Sequence, residues 1–203
     1  MNAQQGSTRV EERAVERIVL RTFATVTGRS GEPLRWTLMD DTPVGTLGLA
    51  ASEAGLADLS FVKDADRFVA HLLDLHGERP LLRVPHALDE ARRQLDRYFA
   101  GKRLDFDLEV DLSTVAGFSL KVLKETAKIP PGRVLSYADV ARRAGNARAS
   151  RAAGNALHNN PVAIVVPCHR ILRSDGSLGG YGGGVPVKEW LLEHEGVLAK
   201  TLG

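Results

Sequence analysis

The hydrophobic pattern of this 203-residue chain changes near residue 113, and that change limits the fold more than any other feature. The segment LDFDLEVDL (104–112) alternates apolar and acidic residues, which is typical of a half-buried strand. The segment that follows it, VAGFSLKVLKETAKI, spaces its apolar residues as a helix does. We therefore predict an α+β protein, with an α/β domain that has a small antiparallel sheet over 35–112 and an all-helical domain over 113–203.

The N-terminal part combines short strands with helices. Short apolar stretches separated by turn residues predict an antiparallel meander over residues 35–62. A helix or helical turn is predicted for DADRFVAHLLDLHG, and a clearer helix for residues 85–103, with Gly101 just past the end of its apolar pattern. Apolar residues at helical spacing also predict an amphipathic helix at 10–26, within an N-terminal extension of residues 1–34.

Two short helices around a glycine-containing turn are predicted early in the C-terminal part. The segment LSYADVARRAG begins with Ser136 and has Asp139 three residues later, which is the spacing of a helix-capping box. The segment NARASRAAGNALHNNP then supplies a second short helix. Such a pair is typical of a helix-turn-helix.

The second of these helices has the composition of a DNA-contacting surface. Arg148 and Arg151 stand among small residues that include Ala152 and Gly154. Small side chains allow a backbone to approach DNA closely, and an arginine can then enter a groove or the base stack. The alternative is a helix pair that packs tightly through its small residues and does not touch DNA.

The chain has one cysteine, Cys168, in the segment VVPCHRIL. The four apolar residues AIVV, which end just before Pro167, are predicted to form a brief extended segment that leads into the cysteine. The thiolate is the nucleophilic form of cysteine, and a free thiol with a pKa of about 8.5 is mostly protonated at neutral pH unless a neighbouring group lowers that value. His169 or His194, with Glu195 as the orienting partner, supplies a base of the kind that activates a nucleophile. The spacing does not choose between the two histidines, and the alternative is a buried cysteine without reactivity.

Charge and cysteine content limit the partners and the compartment. From Phe118 to the end, 12 lysines and arginines stand against 6 acidic residues, whereas the remainder has 15 against 19. A basic C-terminal part suits a polyanion such as DNA, and a solvated basic face is the alternative. A single cysteine cannot form an internal disulfide, the histidines lack metal-ligand spacing, and no apolar run approaches the roughly 18 residues of a membrane span. We therefore expect no metal site, no membrane contact and a cytoplasmic location.

Three segments of the C-terminal part form a recognisable combination: IVVPCHRIL, NNP upstream of it, and GGYGGG with KEWLLEHEG downstream of it. Together they resemble the O6-alkylguanine-DNA alkyltransferases, densely from Phe118 to Gly196 and more loosely through LDRYFAGKRLDFDLEVDLS and DTPVGTLGLA. The resemblance implies a ribonuclease H-like N-terminal domain. It also implies a C-terminal domain with a winged-helix or helix-turn-helix DNA-binding motif.

An activity follows from the same resemblance. Such a protein repairs double-stranded DNA by flipping out an O6-alkylguanine and moving the alkyl group irreversibly to its own cysteine, here Cys168. O4-alkylthymine is a second candidate substrate. Each molecule is expected to act once, as a monomer, without a cofactor or metal. The glycines on both sides of Tyr181 further predict a mobile loop and a pocket that admits bulkier alkyl groups.

Roles for individual residues are implied in the same way. A water molecule, His169 and Glu195 form a relay that holds the thiol as thiolate, which leaves His194 outside the site. Tyr137 gives a proton to N3 of guanine, and Arg151 fills the place of the flipped base. The helix-turn-helix adds the DNA contacts Arg148, Ala152 and Gly154, and the resemblance adds the substrate-pocket residues Asn160, Pro167, Ile171, Tyr181, Gly182 and Gly183.

Three other functions fit parts of the sequence. A sensor of the same fold would recognise alkylguanine without repairing it, but such relatives lack the acceptor cysteine. Regulators that combine this activity with transcription control carry a cysteine-rich metal domain, which a single cysteine excludes. A thiol hydrolase would need an oxyanion arrangement and a substrate cleft that the sequence does not display, and turnover of an ester or peptide would support it.

Overall fold

The computed structural model describes residues 31–77 and 79–199, so the helix predicted at 10–26 lies outside the described residues. Within the described residues, the N-terminal part contains four strands and two α-helices. In chain order these are β1 (Leu34–Thr42), β2 (Gly45–Ser52), β3 (Gly55–Phe61), α1 (Ala65–His76), β4 (Leu81–Arg83), a 3-10 turn (Pro85–Leu88) and α2 (Asp89–Phe99).

The four strands form one sheet in the order β3-β2-β1-β4. The β1–β2 and β2–β3 pairs are antiparallel, which confirms the predicted meander. β4 lies parallel to β1, so the sheet is mixed, and α1 supplies the crossover that a parallel pair requires. A Cβ on Gly48 would lie 2.5 Å from the ring of Phe68, so the glycine allows α1 to pack directly on the sheet.

The C-terminal part is helical, as predicted, with a two-residue parallel strand pair in addition. Its elements are α3 (Gly117–Ala127), β5 (Leu135–Ser136), α4 (Tyr137–Arg143), α5 (Ser150–His158), a 3-10 turn (Cys168–Arg170), β6 (Ile171–Leu172) and α6 (Val185–His194). Helices α4 and α5 form the predicted pair. The Ser136 side chain accepts a hydrogen bond from the Asp139 N–H, and the Asp139 carboxylate accepts one from the Ser136 N–H, so the capping box is present.

The segment 104–112 is not a sheet strand, contrary to the prediction. Its apolar side chains do pack against the core, but its backbone forms a single parallel bridge, between Val110 and Leu56 of β3. Elsewhere the Gln94 side chain takes the place of a neighbouring strand, because its amide both donates to and accepts from the Asp107 backbone at 2.8 Å. Alternation therefore marks an extended, half-buried chain, whereas pairing depends on which partner the fold places beside it.

The run AIVV before the cysteine is a turn rather than an extended segment. Ile164 is buried with φ at 68°, in the left-handed region that a β-branched residue rarely adopts. The Val166 N–H donates to the Val162 carbonyl at 2.9 Å and closes the turn. Four apolar residues in a row predict burial correctly, but they do not specify the backbone conformation.

One hydrophobic core joins the two parts of the chain. Leu59 and Tyr98 of the N-terminal part lie in the same buried cluster as Val122 and Leu191 of the C-terminal part. A smaller cluster of Trp36, Ala50, Phe68 and Leu72 fills the space between α1 and the sheet. No helix in residues 31–77 and 79–199 is long and apolar enough to cross a membrane.

Candidate active site

Cys168 begins the 3-10 turn that follows Pro167, and its side chain is buried. The Asn160 side chain organises the backbone around it. The Asn160 amide donates to the Val166 carbonyl at 2.8 Å and to Sγ of Cys168 at 3.2 Å, and its oxygen accepts from the Val162 N–H at 3.1 Å. Asn160 therefore fixes the turn and touches the thiol at the same time.

The thiol lies between two cavities. One, of about 480 Å³, is bounded by α4, α5 and the glycine loop (residues 179–184), and includes Tyr137, Arg151 and Tyr181 in its wall. The other, of about 680 Å³, lies toward the N-terminal part and is lined by Phe61 and the end of α5. A larger cleft of about 870 Å³, between residues 104–112 and α3, does not reach Cys168. The smaller cavity is the one that joins the thiol to the helix-turn-helix.

His169 and Glu195 form a buried pair beside the cysteine. Nε2 of His169 lies 3.0 Å from Oε1 of Glu195, and neither side chain is exposed to solvent. Burial by itself would raise the pKa of Glu195, but the hydrogen bonds from His169 and Arg170 outweigh it and lower that pKa to about 2. Glu195 is therefore a carboxylate that can only accept, so the shared proton resides on Nε2 of His169.

This pairing determines what the rest of the His169 ring can do. Burial lowers the pKa of His169, more than the hydrogen bond to Glu195 raises it, so the imidazole is neutral at pH 7. With the proton on Nε2, Nδ1 carries a free lone pair, and no group in the described part of the chain bonds to it. His169 is therefore oriented as a base.

Glu195 has two further partners that sequence reasoning missed, Arg170 and Tyr98. The Arg170 guanidinium donates from Nε to Oε2 at 2.8 Å and from Nη2 to Oε1 at 2.7 Å, a bidentate pair. The Tyr98 hydroxyl, from α2, donates to Oε1 at 2.8 Å. Arg170 stands next to His169 in the sequence, but only the 3-10 turn directs both side chains to one carboxylate. Nothing in the sequence near Tyr98 signals its contact.

His194 lies outside this arrangement. Its Nε2 is 2.6 Å from the Tyr98 carbonyl oxygen, and its ring stacks on Trp190 with centroids 4.7 Å apart. The geometry thus selects His169 over His194 as the partner of Glu195.

Burial of Cys168 opposes the thiolate form that the resemblance implies. Burial raises the pKa of Cys168, and the Asn160 hydrogen bond and the Lys188 charge offset this only in part. Lys188, a buried residue of α6 that sequence reasoning also missed, donates from Nζ to the carbonyls of Ile171 and Leu178. Burial lowers the pKa of Lys188 to about 8, and a negative charge on Cys168 would oppose that change. Burial thus favours the protonated thiol, whereas the Asn160 and Lys188 side chains favour its deprotonation.

Tyr137 begins α4 and is half-buried in the wall of the smaller cavity. Burial raises the pKa of Tyr137, and a negative charge on Cys168 would raise it further, so the phenol keeps its proton at neutral pH. Gly179 has φ at 69°, and a Cβ there would lie 3.0 Å from the Tyr137 hydroxyl. A glycine at this position lets the loop approach the phenol closely.

Helix α5 divides its residues between the core and the surface. Ala153, Ala156 and Leu157 are buried, whereas Arg151 and Ala152 are exposed. Two other predicted residues lie near this surface. Arg148 is exposed in the turn before α5, and Gly154 is half-exposed where α5 faces Tyr137. The predicted DNA-contacting residues are therefore brought to the side of the molecule from which the smaller cavity opens.

The remaining predicted pocket residues surround the thiol. Pro167 and Ile171 are buried at the two ends of the 3-10 turn, and Gly182 is exposed in the glycine loop. The Tyr181 ring stands edge-on to His169, with centroids 6.3 Å apart, and its buried hydroxyl has no hydrogen-bond partner in the described residues. Gly183 packs against the Phe61 ring. Within residues 31–77 and 79–199, no three His, Cys, Asp or Glu side chains are grouped to hold a metal ion.

Comparison with known proteins identifies relatives of both parts of the chain. Residues 34–112 match the model of the ribonuclease-like domain of 6-O-methylguanine DNA methyltransferase, and residues 117–197 match the model of its DNA binding domain. A methylated-DNA–protein-cysteine methyltransferase of Methanosarcina barkeri is 39% identical over 155 residues, which is 76% of this chain and 93% of that protein. The Homo sapiens protein of the same name is 35% identical over 162 residues, which is 77% of this chain and 78% of that protein.

A solved structure supports the same relationship. The crystal structure of Mycobacterium tuberculosis OGT in complex with DNA has a TM-score of 0.68 and 37% identity, and the match covers 80% of this chain and 92% of that chain. The range matched to the DNA binding domain, residues 117–197, includes Cys168, the His169–Glu195 pair and helices α4 and α5. The chain therefore belongs to the 6-O-methylguanine DNA methyltransferase family.

Proposed function

We propose that this protein repairs double-stranded DNA by moving the alkyl group of an O6-alkylguanine directly and irreversibly to Cys168. One observation carries the proposal: the Cys168 thiol lines a cavity that is bounded by the two helices of the helix-turn-helix, and the next residue in the chain, His169, has a buried Nδ1 without a hydrogen-bond partner in the described residues. A thiol beside an oriented base is the arrangement of an activated nucleophile. Its position behind a DNA-contacting helix suits a base flipped out of the duplex.

The transfer is a displacement at the alkyl carbon. The thiol proton leaves toward Nδ1 of His169, and Glu195 stabilises the imidazolium that forms. The sulfur then forms a bond to the alkyl carbon while the bond from that carbon to O6 breaks, and the electron pair of the broken bond stays on the guanine. The nearby Lys188 charge and the Asn160 amide stabilise the thiolate during this step.

Tyr137 assists the departure of the guanine. A purine that leaves with an extra electron pair is a better leaving group when a proton donor neutralises it. The raised pKa of Tyr137 keeps its phenol protonated until that moment, and the hydroxyl lies in the wall of the cavity. Tyr137 gives one proton to N3 of the guanine, and the thiol gives one proton to His169. Exchange of protons with solvent then returns Tyr137 and His169 to their neutral forms, so the charge balances.

Arg151 and its neighbours supply the DNA contact. Arg151 lines the smaller cavity, and Arg148 and Ala152 are exposed close to it in the sequence, so the basic C-terminal part presents side chains that favour a polyanion. Insertion of Arg151 into the stack would replace part of the few kcal/mol that base flipping costs. By the same resemblance, the carbonyls of Cys168 and Ile171 read the exocyclic amine of guanine; in the structure the first accepts from the Ile171 N–H and the second from Nζ of Lys188.

A thioether is not hydrolysed, so each molecule acts once. We further propose that one monomer binds one lesion and that the protein acts in the cytoplasm. Analytical ultracentrifugation of the protein with a short duplex that holds one O6-methylguanine tests the first statement, since a 1:1 complex is expected and a larger one would contradict it.

The decisive experiment for the proposed function is mass spectrometry of the intact protein and its peptides after reaction with that duplex. One methyl group is expected on the Cys168 peptide, saturating at one per protein, and none on Cys168→Ala. Binding without a mass gain would make the protein a sensor of damage. Multiple turnover of an ester or peptide would instead support a thiol hydrolase.

A further inference from the structure

Strand β3 is an edge strand of the sheet, and its free edge is used by the C-terminal part. The Leu59 N–H donates to the Pro161 carbonyl at 2.8 Å, and the Ala163 N–H donates to the Leu59 carbonyl at 3.0 Å. These two bonds hold the turn that begins at Asn160, the residue whose amide contacts the thiol. One wall of the thiol site is thus fixed to the N-terminal sheet.

The last residue of the same strand reaches the opposite wall. The Phe61 ring meets the Tyr181 ring edge-on, with centroids 5.5 Å apart. It also occupies the space where a side chain on Gly183 would begin, since a Cβ there would lie 2.9 Å from Cγ of Phe61. Phe61 therefore contacts the glycine loop at two points.

Neither contact belongs to the chemistry of alkyl transfer. Phe61 cannot donate or accept a proton, and it lies in the N-terminal part of the chain, while the proposed reacting groups all lie in the C-terminal part. Its contact with Tyr181 nevertheless fixes a ring that stands edge-on to His169. The glycines predict a mobile loop, but the structure gives that loop an anchor on a rigid strand.

We propose that Phe61 is a positioning residue for alkyl transfer, which holds the glycine loop in place beside Cys168 through Tyr181 and Gly183. This inference rests on the proposed function. It assigns the N-terminal sheet a part in the reaction, because β3 then holds both walls of the site, one through the Leu59 backbone and one through the Phe61 side chain.

The first test replaces Phe61 with leucine. Displacement of the loop should lower the single-turnover rate constant for transfer from a saturating O6-methylguanine duplex by roughly tenfold or more, since a 1 Å misplacement can cost about a hundredfold. The Kd for the duplex should stay unchanged, because the helix-turn-helix is untouched. Phe68→Leu is the matched control: Phe68 is fully buried in the smaller cluster, so its loss destabilises the fold without touching the loop.

The second test alters the contact between Gly183 and the Phe61 ring. Gly183→Ala places a Cβ against the Phe61 ring, and Gly183 is not among the glycines with left-handed φ, so the backbone tolerates alanine. Gly183→Ala should therefore transfer the methyl group more slowly than the wild type. Adding Phe61→Leu removes the obstructing ring, so the double variant should react faster than Gly183→Ala alone. A general loss of stability would not produce such a rescue.

The outcomes separate the two proposals. If the wild-type protein gains no methyl group, the proposed function fails. If the wild type reacts and Phe61→Leu matches it, or slows only as much as Phe68→Leu does, the positioning role is wrong. If the rate reductions caused by Phe61→Leu and by Gly183→Ala simply multiply in the double variant, the two residues act independently, and the positioning role is also wrong.

Discussion

Glu195 is the residue on which the buried part of the site depends. Its carboxylate accepts hydrogen bonds from His169, Arg170 and Tyr98, and none of these side chains is more than slightly exposed. A carboxylate with several charge-assisted donors remains ionised even when buried. This single side chain therefore fixes the tautomer of His169 and neutralises Arg170.

We expect Glu195→Gln to destabilise the protein and to slow transfer. It leaves the buried Arg170 guanidinium without a counter-charge, which costs about 3 kcal/mol or more in the free energy of unfolding. Urea unfolding at neutral pH measures this loss. The control is Glu189→Gln, an exposed glutamate on α6, which should change stability by less than about 0.5 kcal/mol.

The free energies of unfolding of the wild type and of Glu195→Gln should approach each other in acid. The pKa of Glu195 is about 2 in the folded protein and near 4.3 in an unfolded chain. Its contribution to the free energy of unfolding is therefore complete at pH values above the unfolded pKa. It is lost as pH falls from there toward 2, because the carboxylate takes up a proton. A stability difference between wild type and Glu195→Gln that persists unchanged below this range would contradict the assignment.

The rate of alkyl transfer should fall in acid because His169 must be neutral to accept the thiol proton. Burial lowers the pKa of His169, so the acid limb of the rate profile should lie below the usual histidine value of about 6.5. Single-turnover rates across this pH range measure it. His194→Asn should leave the position of the limb unchanged, and a limb that moved in this variant would assign the base to His194.

At the scale of elements, helix α5 has both a structural and a functional face. Gly154 lowers its helix propensity, yet a Cβ at this position would lie 3.7 Å from the Tyr137 ring, an ordinary contact. Packing therefore does not require glycine here. Under the proposed function, close approach of the backbone to DNA would favour a residue without a side chain.

Gly154→Ala should consequently stabilise the protein and weaken its binding to DNA. The gain in helix propensity is up to about 1 kcal/mol, and it should raise the midpoint of thermal unfolding. Fluorescence anisotropy with a labelled duplex should show a larger Kd. Free O6-benzylguanine serves as the control substrate, because its reaction involves no duplex. A lower thermal midpoint would show that glycine is needed for packing instead.

At the scale of the whole molecule, the two parts share one core and one sheet edge. Leu59 belongs to the common cluster, and its backbone bonds to the C-terminal turn at Pro161 and Ala163. Neither part has a separate hydrophobic core of comparable size. The parts should therefore not unfold separately.

The two tryptophans test this expectation. Trp36 lies in the N-terminal sheet and Trp190 in α6, so Trp36→Phe and Trp190→Phe each leave one reporter in one part. Within each variant, we expect the fluorescence transition to coincide with the far-ultraviolet circular dichroism transition during urea unfolding. A fluorescence midpoint that departs from the circular dichroism midpoint would show that the two parts unfold independently.

Much of the fold and of the candidate site could be predicted from the sequence. The meander, the helix-turn-helix and its capping box follow from local spacing, which the chain carries wherever it folds. The segment 104–112 and the run AIVV were interpreted wrongly, because alternation and apolar character report burial and not the hydrogen-bond partner. Gln94 and Leu59, which supply those partners, lie far away in sequence.

The sequence by itself determined which reactive groups the protein has, because one cysteine between Pro167 and His169 leaves no other thiol to consider. Only the tertiary structure decided how they are used. It selected His169 over His194, brought Tyr98 to Glu195 across 97 residues, and placed Phe61 against the glycine loop. Residue identity and periodicity are properties of the local chain. The contacts that orient a base or anchor a loop exist only after distant elements pack into one core.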